Sequence, residues 1–135
     1  MTPASLRPAP TSGHVGPPVR AGGDLRVVAL RGTLDIYSLP GLRPELEHLA
    51  DEDALVIDLS EVTLIDSAGL GALLRLRNRS LGQGPGRFGL ICPRRRLRRV
   101  FDITGLRGEF AIGPDLDAVR ALLEGARVGR ADRDH

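Results

Sequence analysis

Asp66-Ser67-Ala68-Gly69-Leu70-Gly71 is the stretch of this chain whose residue types are best placed to do chemistry. It follows the apolar run Ala54-Leu55-Val56-Ile57-Asp58-Leu59 and the short link Ser60 to Ile65, and it opens a segment with leucines at 70, 73, 74 and 76. A hydroxyl at such a strand-to-helix junction has two uses. It can cap the unpaired N–H groups of the first helical turn. It can also carry a phosphate, because those N–H groups and the positive end of the helix dipole favour an anion. A phosphate brings about −1.5 to −2 charges and changes the local surface without requiring the fold to change. Gly69 and Gly71 are expected to leave the backbone uncovered, so that another molecule can approach. From the local pattern alone, a plain helix cap and a modification site both remain open.

An enzyme reading needs more than these residues supply. Activating Ser67 as a nucleophile calls for a positioned His or Lys. The chain has no Lys, and His14, His48 and His135 are scattered. There is no Gly-x-Ser-x-Gly elbow and no phosphate loop ending in Gly-Lys. No catalysis is expected. One cysteine, Cys92, with three distant histidines predicts neither a metal site nor any other cofactor.

The elements that must position Ser67 can be read from hydrophobic periodicity. Leu25 to Leu30 read as a strand ending at Gly32. Leu42, Leu46 and Leu49 line one side of a helix capped by Ser38, with Pro40 in its first turn and Pro44 uncomfortably inside it. Residues 54–59 read as a central strand buried on both faces. A helix from Ser67 to about Ser80 follows, broken by Gly82, Gly84, Pro85 and Gly86. Arg87 to Cys92 form a strand, and Pro93 starts a helix with Leu97, Val100 and Phe101 on one stripe, closed by Gly105 and Gly108. Phe110 to Ile112 give a last strand. Asp115 to Glu124 give a last helix with Leu116, Val119, Leu122 and Leu123 inward. This alternation predicts a single α/β domain with about four helices packed on a sheet of four to five strands.

Three motifs in order resemble the STAS family, in particular bacterial anti-anti-sigma factors. They are Gly32-Thr33-Leu34-Asp35, Asp66-Ser67-Ala68-Gly69-Leu70-Gly71, and Leu97-Arg98-Arg99-Val100-Phe101-Asp102-Ile103-Thr104-Gly105-Leu106. The likeness covers about residues 24 to 124. It implies the STAS fold with a mixed sheet, and Ser67 as phosphate acceptor with Asp35 and Asp66 nearby. It implies an anti-sigma factor with Ser/Thr kinase activity as partner, which the unmodified protein sequesters to free a sigma factor, and a Ser/Thr phosphatase that resets phospho-Ser67. Asp35, Tyr37, Asp66, Ser67, Ala68, Gly69, Leu70 and Gly71 are the expected partner contacts, Tyr37 being equally readable as a half-buried loop aromatic. A STAS subunit of a signalling scaffold or lipid-transport assembly, with no switch at the serine, is the alternative. Ala68 stands where the family often has a second hydroxyl, and Pro17 and Pro18 interrupt the place of the family's first strand, which is expected to be shortened to a piece around Val19 or missing.

Composition sets the remaining expectations. Residues 1–22, rich in Pro and Gly, are expected to form a disordered tail, 23–125 the domain, and 126–135 a loose C-terminal tail. All 19 basic residues are Arg, so a sequence pI near 9.4 coexists with a net charge of only +2. Arg94, Arg95, Arg96, Arg98 and Arg99 read either as an anion patch or, preferred here, as the solvated face of a helix. With 3% aromatics, no direct nucleic-acid contact is expected. A lone Cys, no signal-peptide pattern and no membrane-length apolar run predict a cytoplasmic protein outside the membrane. A weak homodimer is compatible with the sequence.

Overall fold

The computed structural model describes residues 13–21, 25–49, 52, 54–82 and 87–133. Among these residues, six strands form one mixed sheet: β1 (His14–Val15), β2 (Val19–Arg20), β3 (Arg26–Leu34), β4 (Ala54–Ile65), β5 (Arg87–Ile91) and β6 (Ala111–Gly113). Strands β3, β4, β5 and β6 are parallel neighbours in that order, and β1 and β2 both pair antiparallel with β3. Among the described residues, four α-helices link or follow them: α1 (Leu39–Leu49), α2 (Ser67–Gly82), α3 (Arg95–Ile103) and α4 (Leu116–Arg133).

Strand β4 explains the layering. Its residues alternate between two cores, as the two-residue period of a strand requires. Leu55, Ile57 and Leu59 join a large cluster with Leu39, Leu46, Leu73, Leu97 and Phe101 of α1, α2 and α3. Ala54 and Val56 face a smaller cluster with Val119 and Leu123 of α4. The run of apolar residues is thus a strand covered on both sides, as expected. Beyond Asp58, which pairs with Ile91, β4 continues past the end of β5 for roughly 20 Å with only β3 beside it. That overhang carries α2 and its first residue out to one end of the molecule.

Several local expectations need correction. Strand β3 does not stop at Gly32. Gly32 takes φ +82°, a conformation that suits glycine, and absorbs an irregularity in the β3–β4 register, after which Thr33 pairs with Leu64 and Leu34 with Ile65. Residues 14–15 and 19–20 belong to the sheet rather than to a tail; Pro17 and Pro18 split the first family strand into two short pieces but do not remove it. Gly16 N–H still donates to the Ala29 carbonyl between them. Residues 1–12 and 22 of the expected tail lie outside the described residues, as do Gly84, Pro85, Gly86, Asp134 and His135. Helix α4 runs on to Arg133, past the expected loose boundary at Ala126, because no proline stops it. Leu122, expected inward, is 46% exposed, since the α4 stripe facing the sheet is set by Val119 and Leu123. Pro44 sits within α1 on its exposed face, where the carbonyl deprived of a donor is left to solvent.

Helix α3 ends as the Gly105 signal suggests. Leu106 N–H donates to the Phe101 carbonyl and Gly105 N–H to Asp102, with Gly105 at φ +75°. This is the left-handed glycine termination that satisfies the last carbonyls of a helix. Leu97 and Phe101 are buried, while Arg94, Arg95, Arg96 and Arg99 are exposed. The basic cluster therefore lies on the solvent side of α3, as preferred from the sequence. Cys92 is buried, and that burial pushes its thiol pKa up, which disfavours the thiolate.

Candidate functional site

Ser67 is the first residue of α2, at the far end of β4. Its helix is capped not by its own hydroxyl but by Asp66. One carboxylate oxygen of Asp66 accepts from Gly69 N–H at 2.9 Å, and the Asp66 carbonyl accepts from Leu70 N–H at 2.9 Å. The other carboxylate oxygen accepts from Ile36 N–H at 3.2 Å, on the turn that joins β3 to α1. Asp66 N–H in turn donates to the Leu34 carbonyl. The expectation that Ser67 caps the helix is thereby corrected: a carboxylate suits the positive helix end better than a hydroxyl, and it takes the role. Among the described residues, no hydrogen bond engages the Ser67 hydroxyl, and the residue is exposed.

The β3–α1 turn is built on Asp35. Its carboxylate accepts from Tyr37 N–H at 3.0 Å and Ser38 N–H at 2.9 Å, an Asx turn that rotates the chain into α1. The expectation that Ser38 caps α1 with its side chain is corrected. Its hydroxyl donates to the Thr33 carbonyl at 2.8 Å and accepts from Asp35 N–H, which closes the turn instead. The Ser38 N–H bond, against a smaller opposing effect of burial, holds the Asp35 carboxyl below its ordinary pKa. A depressed folded-state pKa means this contribution is present above the unfolded value, ~3.9, and is lost as pH falls through the folded one. We expect Asp35→Asn, which keeps an acceptor oxygen, to flatten the acid limb of the stability curve below about pH 4, as read by thermal melting across pH.

The turn and the start of α2 are pressed together. A Cβ added to Gly69 would sit 2.1 Å from the Leu34 carbonyl oxygen. Gly69 is therefore small for an internal reason, and it is buried rather than open to another molecule, contrary to expectation. Leu70, also expected as a partner contact, is 4% exposed and belongs to the main core. Ala68 and Gly71 are partly exposed, and Asp35 and Asp66 are half-buried. Tyr37 is 90% exposed, which removes the half-buried reading of it.

Two residues not singled out from the sequence complete the surface. Ile36, at 62%, and Leu64, at 51%, expose large apolar side chains on the turn and on the β4 overhang. Residue types alone conceal them. Only the pairing of Leu64 with Thr33 beside the turn shows that both lie at the end where Ser67 stands. The site is thus a small apolar surface around a hydroxyl and two carboxylates, with no cluster of metal-ligating side chains among the described residues.

Asp66 also permits a direct stability test. Truncation to Ala leaves Gly69 N–H and Ile36 N–H without their acceptor. We expect Asp66→Ala to cost about 1–2 kcal/mol in chemical denaturation, the range of a lost N-cap.

The mixed-sheet topology agrees with the family match. The STAS domain model matches residues 17–119. The chain belongs to the STAS-domain family. The anti-sigma-B factor antagonist of Bacillus subtilis is 42% identical over 81 residues, covering 59% of this chain and 73% of that protein. The anti-sigma-F factor antagonist RsfB of Mycobacterium tuberculosis is 32% identical over 109 residues, covering 79% and 85%. Among solved structures, an anti-sigma factor antagonist from Mycobacterium paratuberculosis superposes with TM-score 0.74 at 28% identity, over 86% of this chain and 97% of the other. Unphosphorylated SpoIIAA, at 19% identity and TM-score 0.61, shares the fold over 78% of this chain and 94% of its own. Among the described residues of this STAS domain, no helix is long and apolar enough to cross a membrane.

Proposed function

We propose that this protein is a non-catalytic anti-sigma factor antagonist, controlled by phosphorylation of Ser67. Its STAS relatives carry that role in their names, and one observation supports the switch at this residue. Ser67 is an exposed hydroxyl at a helix start, uncommitted to any hydrogen bond among the described residues, at the same end of the molecule as exposed Ile36, Tyr37 and Leu64. Ile36 N–H is bonded to Asp66, the residue before Ser67, so a partner that docks on the exposed Ile36–Tyr37 turn comes close to the hydroxyl. The contact surface then comprises Asp35, Ile36, Tyr37, Leu64, Asp66, Ser67, Ala68 and Gly71. The partner is an anti-sigma factor with Ser/Thr kinase activity, and its sequestration by this chain releases a sigma factor in the cytoplasm.

The chemistry is a phosphoryl transfer. Ser67 Oγ loses its proton and bonds to the γ-phosphorus of ATP held by the kinase, the bond from that phosphorus to the bridging oxygen breaks, and ADP leaves. The new dianion then faces the partner where a neutral group stood, and like-charge repulsion and desolvation oppose rebinding. A Ser/Thr phosphatase removes the phosphate by hydrolysis and restores the hydroxyl.

Incubation with the cognate kinase and ATP, followed by peptide mass spectrometry, tests this. One phosphate on Ser67 with loss of the complex is the expected result. An active kinase that leaves Ser67 unmodified would overturn the switch and favour a structural role in a scaffold or lipid-transport assembly.

A further inference from the structure

Ser67, Gly71 and Arg75 occur at intervals of four on α2, so they share one stripe of that helix. Helical side chains lean toward the N-terminus of their helix. Arg75 does so over Gly71: its guanidinium Nη1 lies 3.5 Å from where a Cβ of residue 71 would stand. Neighbouring Cβ positions four residues apart are about 5–6 Å from each other. The guanidinium therefore stands about one helical turn from Ser67, roughly half the distance between the two residues, and the missing side chain at Gly71 keeps the path between them open.

We infer that Arg75 is the internal counter-ion of phosphorylated Ser67, its guanidinium swinging across Gly71 to bind the phosphate oxygens. This rests on the reading of Ser67 as phosphate acceptor and adds where the phosphate goes once it is made. The charges around the stripe call for such a partner. Asp66 and Asp35 flank the site and are both acidic, so a dianion added there meets like charge. On the other side, Arg75 shares the groove between α1 and α2 with Arg43, Glu47 and Arg79. Among the described residues, no ion pair engages Arg75, whereas Arg26, Arg31, Arg77, Arg87 and Arg107 each have a carboxylate within 4 Å. A guanidinium fork matches a phosphate with two parallel hydrogen bonds, a geometry that an ammonium does not reproduce.

The consequence for control is specific. With the phosphate drawn along α2 toward Arg75, part of its charge is neutralised by the protein's own residue. The modified site becomes a closed, self-satisfied surface rather than a bare dianion seeking a cation on the partner.

The test needs no kinase. Phosphoserine is installed at position 67 during synthesis, and its second ionisation is followed by phosphorus-31 NMR in the wild-type background and in Arg75→Gln and Arg75→Lys. An unpaired phosphoserine titrates near pH 6. In wild type the midpoint is expected about half a pH unit below that of Arg75→Gln, the size an exposed ion pair produces. Arg75→Lys is expected to recover part of the difference, and 1 M salt to shrink it. The helix dipole and the two aspartates act equally in all three proteins, so they cancel in the comparison. Identical midpoints in wild type and Arg75→Gln would overturn the pairing. Failure of the kinase to modify Ser67 bears only on the function proposed above and leaves this titration intact.

Discussion

Ser67→Glu is expected to weaken binding of the anti-sigma partner by about 100-fold, while Ser67→Ala binds as tightly as wild type and no longer responds to kinase and ATP. The asymmetry follows from what surrounds the hydroxyl. It has no hydrogen bond to lose among the described residues, so the alanine variant changes little but shape, and its melting temperature is expected to stay within the small range of ordinary surface substitutions. Glutamate instead places a full charge beside the exposed Ile36–Tyr37 turn, which a bound partner desolvates under the function proposed above. An interfacial charge without its own partner costs about 2–3 kcal/mol, and each 1.4 kcal/mol is tenfold in affinity. Calorimetric titration of the three proteins against the anti-sigma factor reads the effect directly. Equal affinities for wild type and Ser67→Glu would remove the electrostatic basis of the switch.

Gly69→Ala is expected to be the most damaging single-methyl change at the site. The added carbon meets the Leu34 carbonyl oxygen at 2.1 Å, and that oxygen belongs to backbone, which has no rotamer to escape into. Either α2 or the β3–α1 turn must shift, breaking the bonds from Asp66 to Ile36 and Gly69 that hold them together. Overpacking of this kind costs about 3 kcal/mol at its upper range. In a domain of about 100 residues that corresponds to a fall in melting temperature of roughly 10 °C or more. Gly71→Ala, whose new carbon makes only an ordinary 3.5 Å contact with Arg75, is the matched control and is expected to melt close to wild type.

These two glycines show what could and could not be read from residue order. Both were visible as small residues in the first turn of a helix, and one explanation, exposure of backbone to another molecule, covers both from sequence alone. The structure separates them, because only the long-range approach of Leu34 tells which one is needed for internal packing. The central strand was legible for a simpler reason. Residues 54–59 are apolar on both alternating faces, the pattern of a strand covered on both sides. Ser67 stood out through its junction position, yet its cap could not be assigned, since Asp66 and Ser67 are both good capping residues and differ by one position. The exposed side chains of Ile36 and Leu64 were not legible at all. An isolated apolar residue in a turn, or near a strand end, looks the same whether it is buried or displayed.

The split outer strand has a consequence for how this domain meets other proteins. Along one rim of the sheet, β1 and β2 offer two residues each, parted by Pro17 and Pro18; along the other, β6 offers three. Proline withholds an amide, and fragments this short cannot template a continuous ladder. Neither rim invites an incoming chain to add itself by backbone pairing, so self-assembly by that route is blunted. Under the function proposed above, recognition then falls to side chains at the end where β4 overreaches its neighbour.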